Sequence, residues 1–368
     1  MNIRKATLKD VSEKANVSVG TVSKYINDPY SVKEKNRKKI AEAIKELDFT
    51  PNVYAQKLAR GRSNTILLCI VSEKNISPST WLHQLPVIQA MNDSLIKEGF
   101  SLQIRIIPAA SPQQLSMSIK NCINSREADG IAILSAWEIP KKIVMSMKKV
   151  AFPFVLLDGN CPEVEANEVC IDNRQMVEEL VFLLEKMGHK KIGFMNVKSG
   201  QQDMQWRYQG YQDGMKKLGL NIQEDYVLYG DFSLASGYRC MAEMLEAYGG
   251  PHCTAMICGN DNMAVGAVKA IQDHDLLVPE DISIIGIDNS IAARACSPAL
   301  QTVHFEMGQM GKQASYQLLE QIKENACIEI KTTIPYKMIE GQSVGIVRGQ
   351  EKHYEQNSRG KEGRNNIM

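Results

Sequence analysis

Short apolar runs recur along most of the chain, and longer segments with helical spacing separate them. From residue 65 onward these runs are rich in Ile, Leu and Val and are four to seven residues long. Apolar strands that alternate with helices predict parallel sheets covered on both faces, and two such sheets would account for this part of the chain. The runs are TILLCIV (65–71), SLQIRII (101–107), GIAILS (130–135), FVLLD (154–158), KIGFM (191–195), YVLY (226–229), AMIC (255–258) and SIIGID (283–288).

The first 50 residues have a different pattern, which predicts three short helices. Thr7 can cap a helix over residues 7–15, with a carboxylate three residues later as its capping-box partner. A break follows, and Ser18 can cap a second helix over residues 19–26. A third helix, over residues 33–47, has a single apolar stripe. Two short helices joined by a tight turn, with a third that closes the core, are the layout of a helix-turn-helix.

This layout singles out candidate DNA contacts. In a helix-turn-helix the first turn of the second helix meets base edges in the major groove, so Val19, Gly20 and Lys24 would face the groove. Any small three-helix bundle carries similar caps and stripes, so the pattern alone does not establish DNA binding. The candidate contacts in the head are Leu8, Ser18, Val19, Gly20, Thr21, Ser23, Lys24 and Asn27.

Charge separates the two parts of the chain. The net charge is only +1, yet residues 1–62 contain 14 basic and 7 acidic residues, a net of +7. The remaining residues contain 29 basic and 35 acidic residues, a net of −6. A basic head on an acidic body predicts a polyanion as partner of the head alone.

Composition narrows the class of protein further. A chain of 368 residues with 44% hydrophobic residues is typical of a globular protein with two or three domains. No apolar run approaches the roughly 20 residues that span a bilayer, and MNIRKATLKD lacks the apolar segment of a secretory signal, so we expect the cytoplasm and no membrane partner. The nine cysteines contain no CxxC pair and are expected to be buried thiols. No P-loop, HExxH or paired-cysteine spacing occurs, so no cofactor or metal is expected.

Many fixed positions of a known motif occur in residues 7–62. The segments TLKDVSEKANVSVGTVSKYIN and LDFTPNVYAQKL match T-L-x-D-V…A-x-V-S-x-x-T-V-S-[RK]-x-x-N and L-x-[FY]-x-P-N-x-x-A-x-x-L. In this the head resembles the lactose-repressor (LacI/GalR) family of bacterial transcription regulators, and the similarity continues to about residue 350. The resemblance implies a sequence-specific DNA-binding regulator, expected to be a repressor, that binds double-stranded operator DNA as a homodimer. Gly20 departs from the pattern, because some relatives carry a base-reading side chain there.

Residues 51–62 match the hinge of that family. Pro51 is expected to begin a short helix, since its fixed φ suits a first helical turn. In the family two such helices enter the minor groove and a leucine wedges into a base step, and Leu58 matches that leucine. Without the family, Leu58 would be one more apolar residue packing a linker helix. The hinge candidates are Asn52, Ala55, Leu58 and Arg60.

The body resembles the sugar-binding fold of type I periplasmic binding proteins, as the regulatory domain of the same family does. The resemblance implies an all-α helix-turn-helix head (1–50), a hinge helix (51–62) and an α/β two-lobed regulatory domain (63–350). The first lobe would comprise 63–188 and 304–326, and the second 189–303 and 327–350. Residues 351–368 are polar without periodicity, so we expect a disordered tail.

Five residues match positions that line the effector cleft in that family. Carboxylates, amides and a guanidinium suit hydroxyl groups, and an aromatic ring covers the apolar face of a sugar, so the expected effector is a carbohydrate. Each residue has a plainer alternative as a strand-end turn or a helix cap. The first β–α loop, SEKNISPSTWLHQLP, departs from the family, and Trp81 or His83 could reach the cleft. The five are Asp172 (after EVCI), Arg207 (RYQGY), Phe232 (YGDFS), Asn260 (NDNMAVG) and Asp288 (after SIIGI).

Other functions compete with this one. GQSVG (341–345) matches the G-x-S-x-G nucleophile motif, but only Glu351 and His353 follow it, two residues apart, so no enzyme is expected. A solute-binding or sugar-active protein would use the same two-lobed fold, but the basic head favours the regulator. A protein co-repressor that acts on the first lobe stays open beside a small ligand.

Overall fold

The computed structural model describes most of the chain, in two compact units. One contains the N-terminal helices together with residues 122–129, and the other contains the rest. The predicted hinge helix 51–62, with Asn52, Ala55, Leu58 and Arg60, and the predicted tail 351–368 lie outside the described residues. So do the side chains of Asn27 and of residues 78–82, which include Trp81. The described ranges are 6–49, 63–72, 78–159, 161–198, 200–326 and 329–347.

Local hydrogen bonds start the first two helices of the head. Helix α1 (Leu8–Ala15) begins at a capping box, in which Thr7 Oγ1 accepts from the Asp10 N–H at 3.3 Å and Asp10 Oδ2 accepts from the Thr7 N–H at 2.7 Å. Helix α2 (Val19–Asn27) begins at Ser18, whose hydroxyl accepts from the Thr21 N–H at 3.1 Å. Both caps are confirmed as predicted, because each depends on a partner three residues away.

A third helix closes the core of the head. A 3-10 turn (Pro29–Ser31) follows α2 and leads to α3 (Glu34–Glu46), which begins at Lys33 without a side-chain cap. The helix-turn-helix head is therefore confirmed. Its buried core consists of Val11, Ala15, Val22, Val32, Ile40, Ala43 and Phe49.

The body alternates strands and helices, as the apolar runs predict. No helix within the described ranges is long and apolar enough to cross a membrane. The strands are β1 (Thr65–Ser72), β2 (Ser101–Pro108), β3 (Gly130–Leu134), β4 (Phe154–Leu157), β5 (Glu168–Cys170), β6 (Ile192–Val197), β7 (Val227–Gly230), β8 (Ala255–Cys258), β9 (Ser283–Ile285), β10 (Thr302–Phe305), β11 (Lys331–Thr333) and β12 (Tyr336–Ile339). The helices are α4 (Pro78–Lys97), α5 (Pro112–Ser125), α6 (Lys141–Lys148), α7 (Asn173–Lys186), α8 (Gln202–Lys217), α9 (Leu234–Tyr248), α10 (Asp261–Asp273), α11 (Ile291–Ala295) and α12 (Met307–Glu324).

Two sheets form the two lobes of the body. The first has the order β11-β5-β4-β3-β1-β2, and the second has the order β7-β6-β8-β9. The register shown for both sheets is parallel. Strand β1 is buried at all eight positions, as expected of a central strand with helices on both faces. The two α/β lobes predicted from the sequence are confirmed.

The structure moves two of the predicted lobe boundaries. Helix α7 packs on α8 of the second lobe, where Arg174 Nε donates to Asp213 Oδ2 at 2.5 Å, so the first crossover falls before residue 173 rather than after 188. Strand β11 pairs with β5 of the first sheet, so the last crossover falls after residue 333 rather than before 327. Strand β11 reads KTT and contains no apolar run that would reveal it.

Candidate functional site

The first turn of α2 is open to solvent. Val19 is 44% exposed, Gly20 and Lys24 are also exposed, and Val22 is buried in the core of the head. A Cβ added at Gly20 would meet only Ser18 Oγ, at 3.8 Å, so packing does not require a glycine there. The exposed face is the one that the sequence predicts for base contacts, and those contacts stay a prediction.

The other candidates of the head are partly used within it. Leu8 packs against the core, and the hydroxyls of Ser18 and Thr21 lie 2.8 Å apart. Ser23 is half-buried. Leu8, Ser18 and Thr21 thus help to hold the helices of the head in place, and the phosphate contacts of Thr21 and Ser23 stay a prediction.

Arg207 is the centre of a polar site in the body. It lies on α8 and is buried. Its Nε donates to Asn173 Oδ1 at 2.8 Å, its Nη1 donates to the Gly259 carbonyl at 2.6 Å, and its guanidinium carbon lies 5.9 Å from the centre of the Phe305 ring. Burying a charge costs several kcal/mol unless it is paired, by order of magnitude. These contacts offset that cost and fix the orientation of the guanidinium.

Three carboxyl groups share the surroundings of Arg207. The pKa of Asp158 is raised to about 7, mainly by burial and also by the Asp203 and Asp288 carboxylates, while Arg207 opposes the shift. Burial raises the pKa of Asp288 to about 7, and here too Arg207 opposes and Asp203 adds to the shift. The pKa of Asp203 is raised by burial as well.

The carboxyl groups come from three elements. Asp158 follows β4 in the first lobe. In the second lobe, Asp203 lies in the first turn of α8 and Asp288 follows β9. Within the described ranges no group of three His, Cys, Asp or Glu side chains is placed to hold a metal ion. The site is therefore rich in hydrogen-bond acceptors and has more acidic than basic groups.

His83 completes the wall on the first lobe. Its ring stands edge-on to Phe305, with centroids 6.3 Å apart and planes at 86°. Burial lowers the pKa of His83 to about 4, helped by the charge of Arg207 and opposed by Asp203 and Asp261. The imidazole is therefore neutral at pH 7 and offers one donor and one acceptor.

The backbone is strained where strands end near this site. Positive φ angles occur at Asp158 (59°), Phe232 (69°), Asp288 (119°) and Asn289 (52°). Such conformations cost about 1–3 kcal/mol each in a residue other than glycine and cluster at functional sites. Asp158 Oδ1 and Asn289 Oδ1 are also buried without a hydrogen-bond partner in the described chain, so the strained turns present unused acceptors.

Three of the predicted ligand residues have structural contacts close to the cleft. Asp172 is exposed and caps α7, where its Oδ1 accepts from the Gln175 N–H at 2.9 Å. Asn260 caps α10 and donates from Nδ2 to the Phe232 carbonyl at 3.1 Å. The Phe232 ring is half-buried against the core. Of the five candidates, the described interactions bring together Arg207 and Asp288, and ligand contacts by the other three stay a prediction.

The second lobe contains a further buried carboxyl behind the cleft. Asp261 Oδ2 accepts from the Ser290 N–H at 2.6 Å and its Oδ1 accepts from the Thr302 hydroxyl at 2.6 Å. Burial raises the pKa of Asp261 to about 7, and Asp288 adds to the shift. This carboxyl joins α10 to the segment that follows Asp288 and holds its position.

Ser343, in the GQSVG match, has a structural role. It is buried, donates to the Ile284 carbonyl at 2.6 Å and accepts from the Gln301 N–H at 2.9 Å. Residues 344–347, which follow it, form no strand or helix. The hydroxyl therefore binds the end of the described chain to the second lobe. This structural role agrees with the prediction that Ser343 is not a nucleophile.

The helix-turn-helix head and the two parallel-sheet lobes with a polar cleft define a class of protein, the ligand-responsive DNA-binding regulators. The chain matches the family model of bacterial regulatory proteins of the lacI family over residues 7–52, and that of the periplasmic binding protein-like domain over residues 182–344. The HTH-type transcriptional repressor PurR of Pasteurella multocida (strain Pm70) is 32% identical over 326 residues, which cover 87% of this chain and 93% of that protein. PurR of Klebsiella pneumoniae (strain 342) is 30% identical over 92% of this chain and 97% of that protein.

This chain therefore belongs to the lacI family of bacterial regulatory proteins. It is a helix-turn-helix transcriptional repressor and not an enzyme. The alternative of a solute-binding or sugar-active protein is thereby set aside. The match of both segments also confirms the family that the motifs in the head and hinge indicate.

Solved structures share the fold along nearly the whole chain. The lac repressor dimer bound to operator and the anti-inducer ONPF has a TM-score of 0.80 and 24% identity, over 93% of this chain and all of that one. The complex of the transcriptional regulator CelR with cellobiose has a TM-score of 0.66 and 24% identity, over 92% of this chain and 99% of that one. At this identity the likeness concerns the fold alone.

Proposed function

We propose that a small ligand, a carbohydrate or related polyol, binds around Arg207 and controls the affinity of this repressor for operator DNA. The supporting observation is the setting of Arg207, which is held by Asn173 and Gly259 while the carboxyl groups of Asp158 and Asp288 approach it from two lobes. A site built from both lobes allows ligand binding to change how the lobes approach each other.

The chemistry of the cleft favours an uncharged or cationic ligand. A hydroxyl or amino group donates to carboxyl oxygens, and the guanidinium N–H groups that no described residue uses can donate to ring or hydroxyl oxygens. Phe305 and the neutral His83 offer apolar surface. A phosphate or carboxylate ligand would lie among three carboxyl groups and one guanidinium. Because the pKa values of Asp158 and Asp288 are about 7, an anion would bind at pH 7 and above only with uptake of protons by these groups, which costs free energy that a neutral or cationic ligand does not spend. A sugar or an amino sugar therefore fits better than a sugar phosphate.

The head and the hinge supply the DNA contacts of the proposal. Val19 and Lys24 contact base edges from the exposed turn of α2, and Leu58, outside the described residues, is the minor-groove wedge. The repressor acts as a homodimer in the cytoplasm, so that two heads read two half-sites. In the first lobe, Ile104 and Ile106 on edge strand β2 and Ile96 on the adjacent α4 are exposed. Contiguous exposed apolar side chains mark association surfaces, which supports a dimer through this edge.

Control follows from coupling between the two binding events. Ligand binding alters the approach of the lobes, hence the dimer, and hence the separation of the two heads. By linkage, ligand and DNA then change each other's affinity by the same factor.

A thermal-shift screen in matched sets tests the ligand class. Each set contains a neutral sugar, its amino sugar, its phosphate ester and its uronate, such as glucose, glucosamine, glucose 6-phosphate and glucuronate. We expect a neutral or amino member of one set to raise Tm, and its anionic counterparts to leave Tm unchanged. The shift should vanish in Arg207→Ala and persist in Arg239→Ala, a control that removes an exposed arginine of the same lobe.

Two results would count against the proposal. An anionic member that raises Tm through Arg207 would contradict the ligand class. A shift that survives Arg207→Ala would remove the cleft from the binding site.

A further inference from the structure

Tyr30 is the most exposed large apolar side chain of the described residues, at 84%. It lies in the 3-10 turn directly after α2, and that turn packs against both α2 and α3. Tyrosine combines a large apolar ring with a polar hydroxyl and is enriched at interfaces for that reason. A tyrosine left in water beside the base-reading helix is therefore a candidate for contact with the partner of the head.

The exposure of Tyr30 does not come from a loose backbone. Asp28 Oδ1 accepts from the Tyr30 N–H at 2.9 Å, and the Ser31 hydroxyl donates to the Asp28 carbonyl at 2.6 Å. Pro29 adds its fixed φ at the start of the turn. The guanidinium of Arg37 on α3 lies over part of one face of the ring, with its carbon 5.0 Å from the ring centre, and the rest of the ring faces solvent. The turn and the ring are thus ordered in advance, which lowers the entropy cost of binding a partner.

The surroundings of the ring suit an anion. Helix α3 also exposes Lys35, Lys38 and Lys39, but residues two apart on a helix do not share a face, so Lys35 and Lys39 add to the positive charge of the helix and not to the face of Arg37. The nearby carboxylates are already engaged, since Asp28 binds the turn and Glu34 pairs with Lys38 at 3.2 Å. An ordered aromatic ring with a guanidinium on its face, in a strongly basic head, fits a nucleic-acid backbone better than an apolar protein surface.

We propose that Tyr30 and Arg37 clamp the DNA backbone next to the base-reading turn of α2. The Tyr30 hydroxyl donates to a phosphate oxygen, its ring packs on the adjoining deoxyribose, and Arg37 pairs with a neighbouring phosphate. Contacts to the backbone carry no sequence information, but they fix the register and angle of the recognition helix. The clamp thus sets how deeply Val19 and Lys24 enter the major groove.

Fluorescence anisotropy of the full chain on two duplexes tests the clamp. One duplex carries a sequence that the wild-type protein selects from a random pool, and the other is a mixed sequence of the same length. Binding is measured between 50 and 200 mM salt, conditions in which phosphate contacts show their salt dependence. Binding of the wild-type protein in the same titration verifies the DNA binding on which the clamp depends.

Tyr30→Ala should weaken binding to both duplexes by about tenfold per head, the loss of one hydrogen bond to a charged group. Tyr30→Phe, which keeps the ring but lacks the hydroxyl, should lose about as much, and any additional loss in Tyr30→Ala would report the packing of the ring on the deoxyribose. Arg37→Ala should lower the salt slope by about one per head. Lys45→Ala is the matched control, because it removes the same charge from the other end of α3 and should leave the salt slope near that of the wild type.

Three results would overturn the clamp. Unchanged affinity of Tyr30→Ala on both duplexes would exclude DNA as the partner of the ring, and a protein partner would then be favoured. A loss confined to the selected duplex would indicate base reading instead of backbone contact. A salt slope of Arg37→Ala equal to that of Lys45→Ala would exclude the phosphate contact. The exposure of Tyr30 predicts an unchanged Tm in Tyr30→Ala, so that a loss of binding reports a contact and not unfolding.

Discussion

Replacement of Asp158 by asparagine should stabilise the protein, and the gain should grow with pH. The carboxyl faces Asp203, Asp288 and Arg207, and burial raises its pKa to about 7, against about 3.9 in an unfolded chain. Because the folded state holds the proton more tightly, the stability that the carboxyl contributes is complete below about pH 4 and is lost as pH rises through 7. Asparagine is uncharged, and it tolerates the φ of 59° at this position.

The size of the effect follows from the two pKa values. A difference of about three units corresponds to about 4 kcal/mol for an isolated group. Asp158 is only partly buried as a residue, although its Oδ1 is buried, so solvent screening reduces this figure. Asparagine also gives up the attraction of a carboxylate to Arg207, so we expect a gain of about 1–2 kcal/mol at pH 8.5. In a body of this size that corresponds to about 2–6 °C in Tm. At pH 4.5 about a quarter of the gain should remain, because the folded carboxyl is then protonated and the unfolded one is only partly ionised.

Thermal denaturation of the ligand-free protein at pH 4.5 and 8.5 measures the gain. Asp172→Asn is the matched control, because it removes a carboxylate that lies exposed at the cap of α7, where asparagine caps about as well. It should show no gain that grows with pH. A loss of stability in Asp158→Asn at pH 8.5, or a gain that is equal at the two pH values, would refute the description of the carboxyl cluster.

Substitutions at Gly20 and at Ser343 should change stability in opposite directions. Gly20→Ala should stabilise the head by up to about 1 kcal/mol, because alanine favours helix and the added Cβ meets only Ser18 Oγ at 3.8 Å. Urea denaturation monitored by circular dichroism measures this, and an unfolding midpoint of the head that does not rise would contradict it. Ser343→Ala should cost about 1–3 kcal/mol, since it leaves the Gln301 N–H and the Ile284 carbonyl without their partner; an unchanged urea midpoint of the body would show that the hydroxyl is dispensable.

Features that depend on near neighbours were predictable from the sequence. The caps at Thr7 and Ser18 need only a partner three residues away, and both are present. The apolar runs placed the long strands for a similar reason, since a strand buried on both faces must be apolar at successive positions. Strand β11 could not be predicted in this way, because it is three residues long and lies exposed to solvent on the edge of the sheet.

The cleft was predictable only in part, because its members are distant in the chain. The family motifs supplied Arg207 and Asp288, whereas Asp158 and Asp203 were missed. Asp158 ends the apolar run FVLLD, so the rule that ligands bind beyond strand carboxyl ends could have found it. Asp203 lies in the first turn of a helix, where acidic residues are common, so its sequence position gives no such signal. Asp203 comes close to Arg207 only in the folded protein, where both lie on α8 near the ends of the strands that carry Asp158 and Asp288.

Some residues that match the family motifs have side chains that cap helices or bind the backbone of the protein. Asp172 matches the family position after EVCI, but its carboxylate caps α7, and the next residue, Asn173, is the one that binds Arg207. Asn260 uses both ends of its amide for the cap of α10 and the Phe232 carbonyl. A motif records which residue types recur at a position, and it does not distinguish a ligand contact from a cap that shapes the cleft.

The most direct test of control through the cleft is the operator affinity of the wild-type protein and of Arg207→Ala, each with and without a ligand found in the screen. We expect the ligand to change wild-type affinity by about 5–150-fold, the usual range of allosteric coupling. Arg207→Ala should bind the operator as the wild type does without ligand, and should not respond when ligand is added. An undiminished response in Arg207→Ala would contradict the assignment of the effector site to this cleft.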